Sequence, residues 1–361
     1  MRDGRSSDCL GRLRQKVDEG LRVAGIEEFG GAVRALEVPD PRTLREREVL
    51  IAVKAAGVGN WDDSVRAGDW DVGRTPPIAL GVEAAGIVAA VGADVEDWSV
   101  GDEVLTHPVP LVDQGTWAPW LIADAALLAP KPAHASWERA GAFPVPALTA
   151  IQVLDEVLRL TPGEQLLVNG AGSVTGGLIV AFASLRGIHV LATAGPASRE
   201  RVIRAGAVTV VDHHDPDWAA QVLEATAGRG VDAAANAAPG GAANALANVR
   251  DGGRLATITS DPPDTERGVR IDSVYVRSDA AQLEIATQAL AAGRLEFEVG
   301  ASFPLASGRR VGAGGRGSRR RSRAWRGLRL ISRRPSRLPC RSSWCATATR
   351  TVGTGPTSST C

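Results

Sequence analysis

The residues best suited to chemistry lie in 165-QLLVNGAGSVTGGLIVAFA-183, an apolar run that enters a glycine-rich turn and leaves as a helix-like segment. Gly170, Gly172, Gly176 and Gly177 let a backbone turn tightly and approach a pyrophosphate, which the free N–H groups of the next helix would face. The spacing is G-x-G-x-x-x-G rather than the strict G-x-G-x-x-G, and Ser173 stands among the glycines. Its hydroxyl is able to donate to a phosphate oxygen, and Val174 and Thr175 complete the turn as expected cofactor contacts. The alternative is a purely structural turn, since alanine-rich chains produce such glycine clusters easily.

The nucleotide is read at the end of the second strand. A site for NAD carries an Asp or Glu there to hold the ribose 2′-hydroxyl. Here HVLAT runs into AGPASRER, where Arg199 and Arg201 are available and the first acid, Glu200, comes one turn into a helix. A guanidinium suits a 2′-phosphate, so the expected cofactor is NADPH and the expected reader Arg199. Thr193, closing HVLAT, and Thr257, in RLATIT, join the expected cofactor contacts. The competing account makes these arginines a solvated helix face.

Around this turn, residues 165–259 alternate strand-like and helix-like runs. QLLVN, HVLAT, VTVV, VDAAA and RLATIT have strand length, and helix-like segments follow the first four. Nearly all-apolar strands in strict alternation with helices predict an α/β fold, a doubly wound parallel sheet covered on both faces. Residues 21–145 contain short strand-like runs with many turns, among them EVLIAVKAAGV and GVEAAGIVAAVG, which predict a compact β domain.

Composition bounds the rest. The formal net charge of zero hides a division, because residues 306–361 hold 14 arginines and no Asp, Glu or Lys. That leaves 27 basic against 41 acidic residues elsewhere, a net charge of −14. All four cysteines, Cys9, Cys340, Cys345 and Cys361, also lie outside residues 21–305, which excludes a disulfide framework and a cysteine-held zinc from that body. No apolar run is long enough to span a bilayer and no secretory leader is evident, so a cytoplasmic protein is expected. Residues 1–20 are polar, unpatterned and expected to be disordered, with the true start near Leu21. The jump to Arg, Gly, Ser, Pro and Cys after Leu305 is what a shifted frame of GC-rich DNA would give. A disordered, out-of-frame segment is therefore expected over 306–361, and resequencing across codon 306 tests it.

The chain resembles the medium-chain dehydrogenase/reductases, and within them the zinc-independent quinone oxidoreductase-like branch. The stretches that carry the resemblance are 48-EVLIAVKAAGV-58, 65-VRAG-68, 81-GVEAAGIVAAVG-92, 101-GDEV-104, 142-AFPVPALTAIQVL-154, 166-LLVNGAGSVTGG-177 and 252-GGRLATI-258, in the family's order. The resemblance implies a GroES-like domain over 21–145 with a return segment near 277–305, a Rossmann-like domain over 146–276, and a cofactor cleft between them. Where the zinc-dependent branch has a catalytic Cys and Gly-His-Glu, this chain has 57-GVGNWDD-63 and 81-GVE-83, and the four-cysteine zinc lobe is missing. No metal site is expected, and the pair His213–His214 is read as a surface turn.

By resemblance, Thr149 lies where the family contacts the nicotinamide, while Asn60, Trp61, Asp62 and Trp70 line the substrate side. The family's Asn-Pro order becomes Gly59-Asn60, and Trp70 stands where relatives often have Tyr. Tyr275, the only tyrosine, sits in SVYVRSD, which resembles a strand used in family dimers, so a homodimer is expected. Trp61 and Trp70 are candidates to stack on a flat substrate, whereas Trp98, Trp137 and Trp218 are assigned to core packing.

The expected function is zinc-free, NADPH-dependent reduction of a conjugated carbonyl (a quinone, enone or enoyl group), with Asn60 as donor to the oxygen and Thr149 positioning the nicotinamide. Three lysines among 41 basic residues suggest a GC-rich genome, where tailoring of natural products is a plausible setting. The alternatives are a nucleotide-binding protein without catalysis and a nucleic-acid binder acting through the arginine tail. A small molecule is the expected partner, rather than nucleic acid or membrane.

Overall fold

A computed structural model describes residues 21–305 and 329–332. The first half is built from short strands. They are β1 (Leu21–Ile26), β2 (Arg34–Val38), β3 (Glu48–Val58), β4 (Ile78–Ala79), β5 (Ala84–Val91), β6 (Glu103–Thr106), β7 (Trp120–Asp124) and β8 (Leu128–Pro130). One helix, α1 (Trp61–Ala67), follows β3 and ends at Gly68, whose φ of 89° is the left-handed conformation that closes a helix without a Cβ clash. Two further helices, α2 (Trp137–Gly141) and α3 (Pro144–Gln152), lead into the second half, and a π-helical turn over Val153–Leu158 extends α3.

The second half alternates as its sequence pattern predicts. The order is β9 (Gln165–Asn169), α4 (Val174–Leu185), β10 (His189–Thr193), α5 (Pro196–Arg204), β11 (Thr209–Val211), α6 (Trp218–Ala225), β12 (Val231–Asn236), α7 (Ala242–Leu246), β13 (Val249–Thr257) and β14 (Arg270–Ser273). Helix α8 (Ala280–Ala291) and strand β15 (Ala301–Pro304) return the chain to the first half, where β16 (Arg329–Ser332) also pairs.

The six strands of the second half form one parallel sheet in the order β11-β10-β9-β12-β13-β14. The order reverses between β9 and β12, and the crevice at that switch point is where such sheets take ligands. Strand β14 adds a sixth strand to the five-strand pattern. It ends before Tyr275, whose ring is 68% exposed beyond the strand. The first half holds a three-stranded sheet, β2-β1-β4, and a larger sheet in which β3 pairs β5, β7 and β16 along its length.

Within 306–361, expected to be a disordered or out-of-frame segment, the described residues 329–332 form strand β16. Residues 329–332 pair in parallel with Ala55–Val58 of β3 and antiparallel with β15. A short strand offering unpaired N–H and C=O groups accepts a neighbour through the backbone alone, whatever side chains that neighbour carries. Residues 1–20, 306–328 and 333–361, on which the expectations of disorder fall, lie outside the described residues. Among the described residues no helix is long and apolar enough to cross a membrane.

The largest core runs through both halves. Leu105 and Ala129 of the β strands pack in the same cluster as Phe143, the N-cap of α3, Leu148 of α3, Phe182 of α4 and Val168 of β9. Trp218 is buried, and Trp98 and Trp137 pack half-buried against the cores, as their assignment to packing requires. His107 belongs to this boundary. Its Nδ1–H donates to the Val82 carbonyl at 2.6 Å, and Ser278 ties the His107 and Val109 carbonyls to the segment entering α8.

Burial pushes the His107 imidazole down to about 4, against the upward pull of the Val82 and Val276 backbone. In the unfolded chain the same ring titrates near its ordinary value of about 6.5. Between those values the unfolded state binds a proton that the folded state refuses, so stability falls as pH drops through that window. Denaturant titration should therefore show a loss of about 2 kcal/mol from this residue between pH 7.5 and 5. His107→Asn should remove most of that pH dependence; a variant with the wild-type slope would exclude His107 as its source.

Candidate active site

The glycine turn joins β9 to α4 at the switch point. Gly170 has φ 86°, and a Cβ there would stand 2.8 Å from the Ala237 carbonyl carbon, so the close approach to the neighbouring loop demands glycine. At Gly176 a Cβ would come within 2.4 Å of the Gly170 carbonyl oxygen. These missing side chains leave a bare backbone cradle at the N-terminus of a 12-residue helix, which fits a dinucleotide pyrophosphate. Ser173 is the N-cap of α4: its Oγ accepts from Gly176 N at 3.0 Å. The serine that breaks the expected glycine pattern is thus the residue that starts the helix.

A row of polar side chains crosses the carboxyl ends of four adjacent strands below this turn. Thr193 of β10 donates to Asn169 of β9 at 2.8 Å and accepts from Gly170 N at 2.9 Å. Asn169 donates to Asn236 of β12 at 2.9 Å, and Asn236 in turn donates to Thr257 of β13, to Thr259 and to Asp261. Thr257 and Thr259 both donate to the Asp261 carboxylate, at 2.7 and 2.5 Å. Burial pushes the Asp261 carboxyl up, but the hydroxyls of Thr259 and Thr257 and the backbone of Gly240 and Ala242 outweigh it and hold the group below the ordinary carboxylate range.

Thr193 and Thr257 were expected to touch the cofactor. Both are fully buried in this row, with their hydroxyls committed to its hydrogen bonds. Asn169, Asn236 and Asp261 were not anticipated, although a polar residue closing each apolar strand was the available signal.

The other expected cofactor residues divide. Val174 and Thr175 open α4 half-buried, where the sequence placed them. Arg199 is exposed on α5, with Nη1 donating to the Val210 carbonyl of β11 at 2.6 Å. Arg201 turns to the glycine turn and donates to the Gly172 carbonyl at 2.9 Å. It also lines a cavity of about 330 Å³ with Arg139, Arg204, Glu296, Phe297 and Glu298.

On the substrate side, Asn60 is exposed as the N-cap of α1, and its side chain makes no capping bond. Asp62 is another residue expected to line the substrate. It is buried and accepts from Gly59 N at 2.8 Å, closing the turn that replaces the family's Asn-Pro. Trp61 folds onto that turn, where a Cβ on Gly59 would meet its ring at 2.3 Å. Trp70 packs half-buried beside His107, the ring centroids 6.1 Å apart. Thr149 is buried in α3 and donates to the Val145 carbonyl at 2.7 Å, which commits its proton and leaves only its oxygen lone pairs.

Buried Glu83 ties these parts together. Its Oε2 accepts from Val145 N at 2.9 Å in the first turn of α3, and its carboxylate fills the space a Cβ on Gly57 would occupy. Gly57 precedes the Asn60 turn by three residues, so one carboxylate fixes the end of β3 against the helix that carries Thr149.

Comparison with known proteins agrees with this geometry. Residues 45–133 match the alcohol dehydrogenase GroES-like domain, and residues 205–310 match the zinc-binding dehydrogenase family. The chain is 36% identical over 200 residues to erythronolide synthase EryA2 of Saccharopolyspora erythraea, a match covering 55% of this chain and 5% of that protein. Among solved structures, mycobacterial Rv1454c complexed with NADPH aligns with a TM-score of 0.70 at 26% identity, covering 81% of this chain and 95% of that one. The quinone oxidoreductase of Pseudomonas syringae pv. Tomato DC3000 (TM-score 0.72) and the CurK enoyl reductase (0.70) share the fold at 22% identity, each covering 86% of this chain and 99% of theirs.

The chain carries the two matched domains of the medium-chain dehydrogenase/reductase superfamily and shares its fold with quinone oxidoreductases. That family is one of oxidoreductases with a nicotinamide-dinucleotide-binding fold.

The capping role of Ser173 has a direct test. Ser173→Ala should lower the stability of the cofactor-free protein by about 1 kcal/mol, read as a lower denaturation midpoint. Unchanged stability with weakened cofactor binding would make the hydroxyl a phosphate donor only.

Proposed function

We propose that the protein is a zinc-independent, NADPH-dependent reductase of a conjugated carbonyl: a quinone, an enone or an enoyl group. The observation that carries this reading is the Glu83 link, because it holds the Asn60 turn of the first half against α3, while the glycine cradle opens at the switch point of the parallel sheet of the second half. When bound, a reduced nicotinamide supplies the hydride.

The chain's own residues hold and polarise. The cradle of Gly170, Gly172 and Gly176 with the N-terminus of α4 would take the pyrophosphate, and Arg199 the 2′-phosphate. Asn60 is exposed and its side-chain amide makes no hydrogen bond among the described residues, so it is available to donate to a substrate oxygen. A conjugated acceptor spreads the incoming negative charge onto that oxygen, and such an anion needs only hydrogen-bond donors and a proton from water. A saturated ketone would become a localised alkoxide and call for a Lewis acid or a strong proton donor.

The positions at which the zinc-dependent branch places its ligands hold Gly59 and Val82 near buried Glu83, and neither glycine nor valine offers a ligand atom. The zinc-binding dehydrogenase match falls on the nucleotide-binding half, a stretch without cysteine. Likeness to an erythronolide synthase and to an enoyl reductase supports an acyl-chain or natural-product substrate. The chain spans only 5% of that synthase, so the match speaks for this module's chemistry and not for the assembly line's product.

A panel of quinones, enones and saturated ketones should show NADPH oxidation with the first two only. Asn60→Ala should slow turnover by about 10²–10³ while leaving NADPH affinity nearly intact. Robust reduction of a saturated ketone by metal-free protein would overturn the mechanism, and cofactor binding without any turnover would favour a nucleotide-binding protein that lacks catalysis. Arg199→Ala should weaken NADPH by about 1.5–3 kcal/mol and NADH far less, measured by fluorescence titration. An unchanged preference would remove Arg199 from the phosphate site.

A further inference from the structure

Two imidazoles from the loop after β11 lie on the backbone that follows β10. A Cβ on Gly195, the N-cap of α5, would come within 3.0 Å of His214 Cε1 and 3.1 Å of His213 Cε1. The rings lie 4.0 Å apart at their centroids, and their side chains are 50% and 67% exposed for His213 and His214. Arg199 reaches the same loop from α5 through the Val210 carbonyl, two residues before Asp212. Three groups able to carry positive charge therefore flank the carboxyl end of the second strand, where this fold reads the ribose 2′-oxygen.

The charged groups that meet the pair are few. Asp212 accepts from His214 Nδ1 at 2.7 Å and lies 4.0 Å from His213 Nδ1. Asp215 turns away, accepting from Gln221 at 2.7 Å and from Asp217 N at 2.9 Å.

We propose that His213 and His214, with Arg199, form the reader of the cofactor's 2′-phosphate, so that a proton taken up by His213 on binding sets the preference for NADPH over NADH. This rests on the NADPH reading above and adds to it the regulation of that site by pH. Desolvation and the neighbouring His214 hold His213 below its ordinary range, against the pull of Asp212, so it reaches neutral pH as a neutral ring in the free protein. A dianionic phosphate beside it reverses that balance and draws a proton onto the ring. Binding then takes up protons.

A site made of arginine alone has the opposite sign. The phosphate monoester itself titrates near pH 6, and a permanent cation favours the dianion, releasing any residual phosphate proton on binding. The sign of the proton exchange therefore separates the two arrangements.

The experiment is calorimetric titration of the full chain with NADP⁺ and NAD⁺ at pH 7 in two buffers of different ionisation enthalpy, with EDTA present. EDTA removes any cation bridging Asp212, His213 and His214, whose polar atoms lie within 4.8 Å of one another. NADP⁺ should bind with net uptake of about half to one proton, and NAD⁺ with none. The ratio of the two Kd values should favour NADP⁺ about five- to tenfold more at pH 6 than at pH 8. His213→Gln/His214→Gln should abolish the uptake and flatten the ratio. Both side chains are exposed, and circular dichroism of the double variant checks that it folds. Proton release by the wild type, or uptake that survives in the double variant, would overturn the assignment while leaving NADPH as cofactor. Preferential binding of NAD⁺ by the wild type would remove the NADPH reading and this assignment together.

Discussion

A single buried carboxylate does most to relate the two halves of this protein. Glu83 ends in a pocket made by the absence of a side chain on Gly57, and it accepts from the first turn of α3 through Val145 N. A buried polar group is tolerated only where it finds a hydrogen-bond partner, so this contact fixes its surroundings closely. The Asn60 turn, α1 and the start of α3 all take their places from it. Truncation of one partner in such a contact costs more than the contact itself contributes, because the other partner is left buried and unsatisfied.

The second half depends on a different device. A parallel sheet whose strands are almost wholly apolar has little with which to shape a polar ligand, and here the last residue of each central strand supplies it. Thr193, Asn169, Asn236 and Thr257 bond side by side beneath the glycine turn, and Asp261 closes the row. Asp261 Oδ1 accepts from Thr257, Thr259 and Asn236, while its Oδ2 is buried without a hydrogen-bond partner among the described residues.

The same arrangement explains which expectations carried through to the structure. The strands and helices from Gln165 to Asn236 fall close to where period and turn residues place them, whereas the last helix stops at Leu246 and VRDGG, read as helix-like, opens strand β13 instead. The sixth strand, RIDS, is short and polar enough to escape such a pattern, and the sheet edge defines it instead. Ser173 looked like a defect in a glycine motif because motif and cap compete for one position, and capping geometry is invisible until the helix start is known. Asp62 stands in the loop that the resemblance places on the substrate side, and only the folded turn shows its carboxylate accepting from Gly59 N.

By itself the sequence determined the α/β class, the β domain before it, the glycine turn and the absence of cysteine from residues 21–305, because each rests on local period, spacing or composition. Tertiary structure alone decided which polar side chains share a site. Glu83 and Val145 are 62 residues apart, Asn169 and Asn236 are 67 apart, and His213 meets Gly195 only because β11 lies beside β10. A hydrogen bond is read over about 3 Å and depends on direction, so no one-dimensional spacing encodes it until the strands that carry its partners are in register.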